Sequence, residues 1–244
     1  MSEHEAKPAQ RSPRAKRWRR IGIFVALWAA AAYLLVPLLW EAYYRRHPDY
    51  ASAPHLTHTG DHHPGDPVNL ALVGTEAEVQ AGMKAAGWFV ADALGLKSDL
   101  QIGVDSVLGR PDANAPVSNL FLFGRKEDLA YEKPVGDNPR QRHHVRFWRW
   151  DKTKDGEPVW FGSATYDERV GLSHTTGQVT HHIGPDVDAE RDRIAAELGR
   201  AGCVQGTSWL DGFQKPPEGR NGGGDPWRTD GRLAVVELRA CTPR

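Results

Sequence analysis

The sequence lacks the short motifs that identify the common enzyme mechanisms. Its 244 residues contain no Gly-x-Ser-x-Gly nucleophile elbow, no dinucleotide fingerprint and no His-Glu-x-x-His zinc motif. It has only two cysteines, and their spacing matches neither a metal site nor a redox pair. We therefore assign no catalytic residue from a motif, and if the protein is an enzyme we expect a hydrolase.

Net charge is also lacking, because basic and acidic residues number 31 each. Residues 1–20 hold seven basic and two acidic side chains, a local charge of +5, so residues 21–244 carry −5. A mildly acidic domain is poorly suited to holding a phosphate backbone. We therefore predict no nucleic-acid partner, and we interpret residues 1–20 as a basic cytoplasmic leader.

Only one long stretch is free of charge, Ile21–Trp40. Twenty residues at helical rise span roughly 30 Å, the thickness of the hydrocarbon core of a bilayer. The basic leader comes directly before it, which favours a cytoplasmic N-terminus and an extracytoplasmic C-terminal domain at the inner membrane. A cleaved signal peptide ending near Ala29–Ala32 is the alternative. Because Tyr33–Trp40 continues apolar, we predict an uncleaved single-pass anchor whose partner is the lipid bilayer.

The two cysteines, Cys203 and Cys241, permit two interpretations. An extracytoplasmic domain would allow them to form a disulfide that closes a loop of about 40 residues. Two buried free thiols are equally compatible with the sequence.

Residues 41–67 have no hydrophobic period, and we predict a juxtamembrane linker there. Four histidines toward the end of the linker could bind a metal, but we favour a solvated spacer, since a disordered segment loses entropy for every ligand it orders. They are His55, His58, His62 and His63.

Residues 68–244 predict one α+β domain with a largely antiparallel sheet and two main helices on one face. The first helix should begin at a capping box formed by Thr75 and Glu78. The second should begin near Asp186, where acids suit the positive end of the helix dipole. Short apolar or alternating segments predict the strands, with hairpins after Asp151–Gly156 and at Thr176-Gly177; a short element around Leu100–Leu108 is a weaker expectation.

The segment Arg140–Trp150 predicts a strand whose two faces differ in chemistry. Val145 and Phe147 fall on the face that a core would take. The other face carries the predicted ligand-binding residues, which are Arg140, Arg142, His144, Arg146 and Trp148. Guanidinium groups match phosphate and carboxylate oxygens, and an indole packs against a lipid tail or a sugar ring. The alternative is a solvated face whose arginines pair with the excess acids.

Histidines in the central half of the chain are candidates for acid–base catalysis or zinc binding. They are His144, His174, His181 and His182. Adjacent residues on a strand point to opposite faces, so His181 and His182 would offer one ligand to any one site. We predict no cofactor; the metal set, were there one, would be His144, His174 and His182, and structural histidines are the alternative.

The glycine-rich segment 219–225 also permits two interpretations. Its backbone amides could hold an anion, or it could be a surface loop, since it lacks the lysine and hydroxyl residue of a phosphate-binding loop.

Several ordered segments together carry a family resemblance. They are Pro67–Gly74, Ala86-Gly-Trp88, Ala115–Ser118, Leu122–Arg125, Arg140–Arg146, Pro185–Asp192 and Gly219–Asp225. The chain resembles the LssY-like C-terminal domain family over about residues 66–239. The resemblance implies no catalytic residue. Relatives of the domain are fused to membrane phosphatases of the phosphatidic-acid phosphatase type, which implies a role with lipid phosphates at the envelope, although this chain has no room for a phosphatase half.

These observations predict a membrane-anchored module that binds an anionic phospholipid, glycolipid or envelope glycan. A hydrolase acting on a phosphorylated envelope substrate is the alternative. A structural or secretion-associated domain that binds a membrane protein is a third hypothesis.

Overall fold

The protein is described here by a computed structural model that covers residues 13–46, 49–91, 119–136, 138–175, 177 and 179–242. The chain divides into two compact units, residues 1–46 and 47–244. The expected element around Leu100–Leu108 lies outside the described residues.

The described part of the first unit, residues 13–46, is one long helix. It consists of α1 (Pro13–Ala30), a π-helical turn (Ala31–Leu35) and α2 (Val36–Arg46). The π turn comes directly before Pro37, whose missing N–H and bulky ring disturb the regular hydrogen-bond ladder. Within it, Lys16–Tyr43 is long and apolar enough to cross a membrane, and none of its apolar window is buried. The predicted apolar span 21–40 is thus a helix.

The second unit is rich in strands. A 3-10 turn (Tyr50–Ser52) precedes them. The strands are β1 (Leu56–Thr59), β2 (Pro64–Pro67), β3 (Leu70–Val73), β4 (Phe89–Val90), β5 (Leu120–Leu122), β6 (Arg125–Lys126), β7 (Leu129–Val135), β8 (Asn138–Lys154), β9 (Glu157–Leu172), β10 (Val179–Ile183), β11 (Val204–Leu210), β12 (Glu218–Arg220), β13 (Pro226–Arg228) and β14 (Leu233–Leu238). The helices are α3 (Glu76–Ala85) and α4 (Val187–Arg200).

The main sheet has the strand order β11-β14-β3-β9-β8-β7-β4, with β10 added to the end of β9. Its pairs are antiparallel except β14 with β3. A smaller sheet has the order β2-β1-β5-β6, and β12 pairs with β13. The predicted α+β class with a largely antiparallel sheet is confirmed.

One face of the main sheet packs against the two helices. Val79 and Met83 of α3, together with Ile194 and Leu198 of α4, join a core that includes Phe147 of β8. Both helix starts are as predicted: Thr75 and Glu78 form the capping box, and the Asp186 side chain accepts from the backbone N–H of Ala189. Each cap satisfies backbone donors that a helix start leaves without an intrahelical partner.

The opposite face packs against the small sheet and a loop. Its core contains Trp148, Trp150 and Phe161 of the main sheet, Leu120 of β5 and Phe213 of the loop between β11 and β12. Two cores on opposite faces of β8 and β9 make the central strands buried on both sides. The small sheet therefore covers the face of the main sheet that carries Arg146.

The expectation of a linker was wrong. Residues 41–67 are not an unstructured linker, because α2 extends to Arg46 and both β1 and β2 lie within them. The pattern is hidden because these strands bury polar residues: Thr57 is fully buried and donates to the Asp66 carbonyl. The glycine-rich segment 219–225 is not wholly a loop, because it begins within β12 and β13 follows it.

The disulfide interpretation of the cysteines is the one that the structure supports. Cys203 and Cys241 form a disulfide across a sequence separation of 38. It joins the start of β11 to the segment after β14, next to the Val204–Leu238 end of that antiparallel pair. The bond therefore fixes the C-terminal segment to the edge of the main sheet.

Candidate functional site

The two faces of β8 separate as the alternation predicts. Val145 and Phe147 are fully buried on the helix side. His144 and Arg146 lie on the other side, where they line a cavity, but they do not form an open face. Their exposed fractions are 3% and 4%. The small sheet covers them, an arrangement that no local pattern in β8 reveals.

The cavity has a volume of about 400 Å³ and is partly open to solvent. Its floor is formed by β8 and β9, which contribute His144, Arg146, Thr165 and Asp167. Its remaining walls come from the β1–β2 hairpin with Asp66, from β5, from β10 with His181, and from the loop 221–223. Elements distant in sequence thus bring charged and hydrogen-bonding groups together around one space.

The arginines are matched by carboxylates. Arg142 donates to Asp167 at 3.0 Å and to Glu132 at 2.8 Å. Arg146 lies 3.9 Å from an Asp66 oxygen and 4.0 Å from one of Glu127. Pairing with acids is what the alternative interpretation of this face expects, although the face is buried and not solvated. The acids come from β2, β7 and β9 and from the turn before β7.

Two of these acids are in an unusual electrostatic environment. Burial raises the pKa of Asp66, and Arg146 and a hydrogen bond from Asn221 oppose the shift. Burial likewise raises the pKa of Asp167 against the opposing effect of Arg142. Both carboxyl groups line the cavity. Buried groups with shifted pKa values beside a cavity are typical of functional sites.

The two cavity histidines are shifted in the opposite direction. Burial, Arg146 and Arg142 together hold the pKa of His144 well below its ordinary value. Burial, followed by Arg142 and Arg146, lowers the pKa of His181 to about 4. Both imidazoles are therefore neutral near pH 7, so each ring offers one nitrogen as donor and one as acceptor.

The glycine-rich segment forms one wall of the cavity. The Asn221 side-chain oxygen accepts from the backbone N–H groups of Gly223 and Asp225. Its amide nitrogen donates to Asp66 at 3.0 Å. Asn221 thereby fixes the loop and aims a buried carboxylate at the cavity, which distinguishes this loop from a simple surface connection.

A second cluster adjoins the cavity. His182 Nδ1 lies 2.6 Å from an oxygen of Asp225, and the ring of His174 is 5.2 Å from the ring of His182. The neighbouring residues Ser173, His181 and Gly223 line the cavity. Of the predicted metal set, His174 and His182 come together, whereas His144 lies with His181 in the cavity. Adjacent residues of β10 point in different directions, as strand geometry requires.

The remaining predicted ligand residues lie elsewhere. Trp148 is fully buried in the core under the small sheet, and its indole N–H donates to the Arg125 carbonyl. It does not line the cavity described here. The side chain of Arg140 lies outside the described part of the chain.

Sequence reasoning missed the residues that complete the cavity. Asp66 comes directly after Gly65, and Asn221 comes directly before Gly222. In the sequence, each therefore looks like an ordinary polar residue of a turn. Asp225 was noticed only as the end of a glycine-rich segment. Asp66 and Asn221 are separated by 155 positions in the sequence, so no local pattern reveals their hydrogen bond.

Comparison with known proteins supports one assignment. The family model described as LssY C-terminus matches residues 44–233. No curated protein and no solved structure is significantly similar to the chain. The matched region begins earlier than the resemblance over residues 66–239 predicts. It includes β1 and β2, which form part of the cavity wall. The chain belongs to the LssY C-terminus family, and its family domain follows a helix suited to membrane anchoring.

Proposed function

We propose that this protein is a single-pass membrane protein whose extracytoplasmic domain binds an anionic, hydroxyl-bearing headgroup of an envelope lipid or glycolipid. The observation that carries the proposal is the cavity of about 400 Å³ lined by the buried side chains of Asp66, His144, Arg146 and Asp167. Burying such polar groups costs free energy unless they are satisfied by partners. A polar cavity of this size is a suitable site for a small headgroup.

The location is supported by two independent features. The basic leader precedes the apolar helix, an arrangement that favours a cytoplasmic N-terminus. The disulfide between Cys203 and Cys241 suits an oxidising compartment outside the cytoplasm. A headgroup binder attached to the bilayer would meet its ligand at high local concentration.

The ligand class follows from the mixture of charges in the cavity. Arg146 supplies a cation for a phosphate or carboxylate oxygen. Asp66 and Asp167 supply acceptors for hydroxyl groups when ionised, and neutral His144 supplies a donor and an acceptor. Because acids accompany the arginines, a ligand that combines an anionic group with hydroxyl groups fits better than an isolated multiply charged anion.

The test uses the full chain in phosphatidylcholine nanodiscs and measures calorimetric binding of glycerol phosphate, inorganic phosphate and a phosphorylated hexose. The variant Arg146→Gln should weaken binding of the hydroxyl-bearing anions by roughly tenfold or more, the loss expected for hydrogen bonds to a charged group. The control Arg149→Gln should bind normally, because that arginine is exposed on the other face of β8.

Equal binding by the Arg146→Gln variant and the wild type would contradict the proposal. So would binding of inorganic phosphate alone as tightly as the hydroxyl-bearing probes. Circular dichroism of both variants establishes that any loss is not a loss of folding.

A second candidate function is acid–base hydrolysis of a bound envelope substrate. It is favoured by the pair of buried carboxyl groups whose pKa values burial raises, Asp66 and Asp167, because a carboxyl group that retains its proton can act as a general acid. Release of phosphate or sugar from phosphorylated and glycosylated lipids would be measured. Activity that disappears in Asp167→Asn would favour hydrolysis over binding alone.

A further inference from the structure

We propose that His174, His182 and Asp225 form a binding site for a divalent transition metal, with Zn²⁺ as the best fit. Each residue offers one ligand atom, and the three atoms lie within 4.8 Å of one another. Two imidazoles and a carboxylate with an open position are a common set for zinc in proteins. The set differs from the one that the sequence suggests, since Asp225 takes the place of His144.

The His182 ring has a nitrogen suited to bind a metal. Its Nδ1 lies 2.6 Å from the Asp225 carboxylate, so the two groups already meet and would move apart to about 3.4 Å around a shared ion. Its Nε2 is buried and has no hydrogen-bond partner among the residues that the structure describes. This nitrogen faces away from Asp225 and would keep the ring proton when a metal takes Nδ1.

A glycine makes room for the His182 ring. A Cβ atom at Gly171 would lie 2.8 Å from His182 Nε2 and 3.0 Å from its Cδ2, so a side chain there would press against the imidazole. Gly171 does not have a positive φ, so backbone conformation does not explain the absence of a side chain. The glycine therefore allows the His182 ring to lie where it meets Asp225.

The loop that carries Asp225 is held in place by several hydrogen bonds. The Asp225 carboxylate accepts from the backbone N–H of Ile183, and the backbone N–H of His174 donates to the Gly223 carbonyl. Asp225 and His182 are buried, whereas His174 is exposed. Zinc ligand atoms lie about 3.4 Å apart in a tetrahedral site with bonds of about 2.1 Å. The exposed His174 side chain can close the remaining gap by a change of rotamer.

The experiment measures binding of Zn²⁺ alone to the full chain, without a polyhistidine tag, in detergent after removal of metals with a chelator. We expect one Zn²⁺ per chain, together with a rise in the melting temperature that depends on metal concentration. His174→Asn should weaken the affinity at least tenfold and remove most of that rise. The control His62→Asn should behave as the wild type, because His62 is an exposed histidine outside the cluster whose left-handed conformation asparagine tolerates.

Two further results decide the proposal. Asp225→Asn should also weaken the affinity, and Co²⁺ bound to the wild type should give the visible absorption of a nitrogen- and oxygen-ligated ion that the His174→Asn variant lacks. Absence of stoichiometric binding, or equal affinity in wild type and His174→Asn, would overturn the site. The readout involves no headgroup ligand, so it is independent of the outcome for Arg146.

Discussion

At the scale of single residues, the chemistry of the cavity depends on burial more than on residue type. Arg142 and Arg146 were recognisable from the sequence, but their carboxylate partners were not. The same burial that raises the pKa of Asp66 lowers the pKa of His144. Opposite shifts arise because a low-dielectric environment disfavours the charged form of either group.

The first prediction at this scale concerns the acid stability conferred by His144. Its pKa in the folded protein is held below that of the unfolded chain, because burial and the facing charges of Arg146, Arg142 and His181 disfavour its protonation. The unfolded state therefore binds the extra proton first, and the folded state loses stability as the pH falls below the ordinary histidine value of 6.5. Between about pH 7.5 and about pH 5.5 this group should lower the free energy of unfolding by about 1 kcal/mol.

Denaturant unfolding of His144→Gln followed by tryptophan fluorescence checks this expectation. The variant should lose less stability on acidification than the wild type, whatever its stability at neutral pH. The exposed-site variant His62→Asn should retain the wild-type difference. An unchanged difference in His144→Gln would show that His144 is not kept neutral by its surroundings.

At the scale of elements, α4 is attached to the sheet by an unusual buried cation. The Arg191 guanidinium is fully buried and donates to Asp188, Asp192, Asp230 and the Arg232 carbonyl. It also lies 4.8 Å from the ring centre of Trp209 on β11. One side chain thus joins α4, the turn before β14 and the edge strand.

The prediction at this scale is that Arg191→Met lowers the free energy of unfolding by roughly 2–4 kcal/mol. Breaking one partner of a buried ion pair leaves acids without their cation. Those acids are partly exposed, which keeps the cost toward the lower end. The matched control is Arg193→Met on the same helix, whose side chain is 42% exposed and lies 3.6 Å or more from its acidic partners. That change should cost less than about 1 kcal/mol.

Chemical denaturation of both variants gives the comparison directly. Similar losses at the two positions would contradict a special role for Arg191. Loss of stability without loss of headgroup or metal binding at low temperature would establish that this cluster supports the fold and not the site.

At the scale of the whole molecule, an apolar helix precedes a disulfide-bonded domain. The topology proposed here requires the domain to be exported, whereas a cytoplasmic domain would meet a reducing environment. The domain also extends further toward the anchor than its composition suggests, because β1 and β2 fall in the predicted linker. A reporter inserted near residue 60 would therefore interrupt the fold, and the C-terminus is the better fusion point.

The prediction at this scale is that alkaline phosphatase fused after Arg244 is active in a bacterial host. That enzyme is active only after export, which the basic leader and the uncharged span should direct. Fusion after residue 12, before the span, is the control and should be inactive. An inactive C-terminal fusion of normal abundance would overturn the proposed topology.

The sequence by itself determined the parts whose physics is local. The long apolar helix follows from one uncharged run, the helix starts follow from Thr75 and Asp186, and the faces of β8 follow from alternation. Each of these features depends on residues a few positions apart, so the spacing of residues along the sequence is enough to predict it. The strands β1 and β2 were not predicted, because they bury hydrogen-bonded polar side chains at positions where a strand pattern normally has apolar ones.

Only the tertiary structure decided what the arginine face is. Asp66, Asp167 and Asn221 approach Arg142, Arg146 and one another through strand pairing and loop closure across long sequence separations. That assembly makes the arginine-bearing face of β8 part of a covered cavity in which carboxylates lie beside the arginines. It also places Asp225, and not His144, beside His174 and His182, because adjacent residues of β10 face opposite ways and the fold alone determines what each one meets.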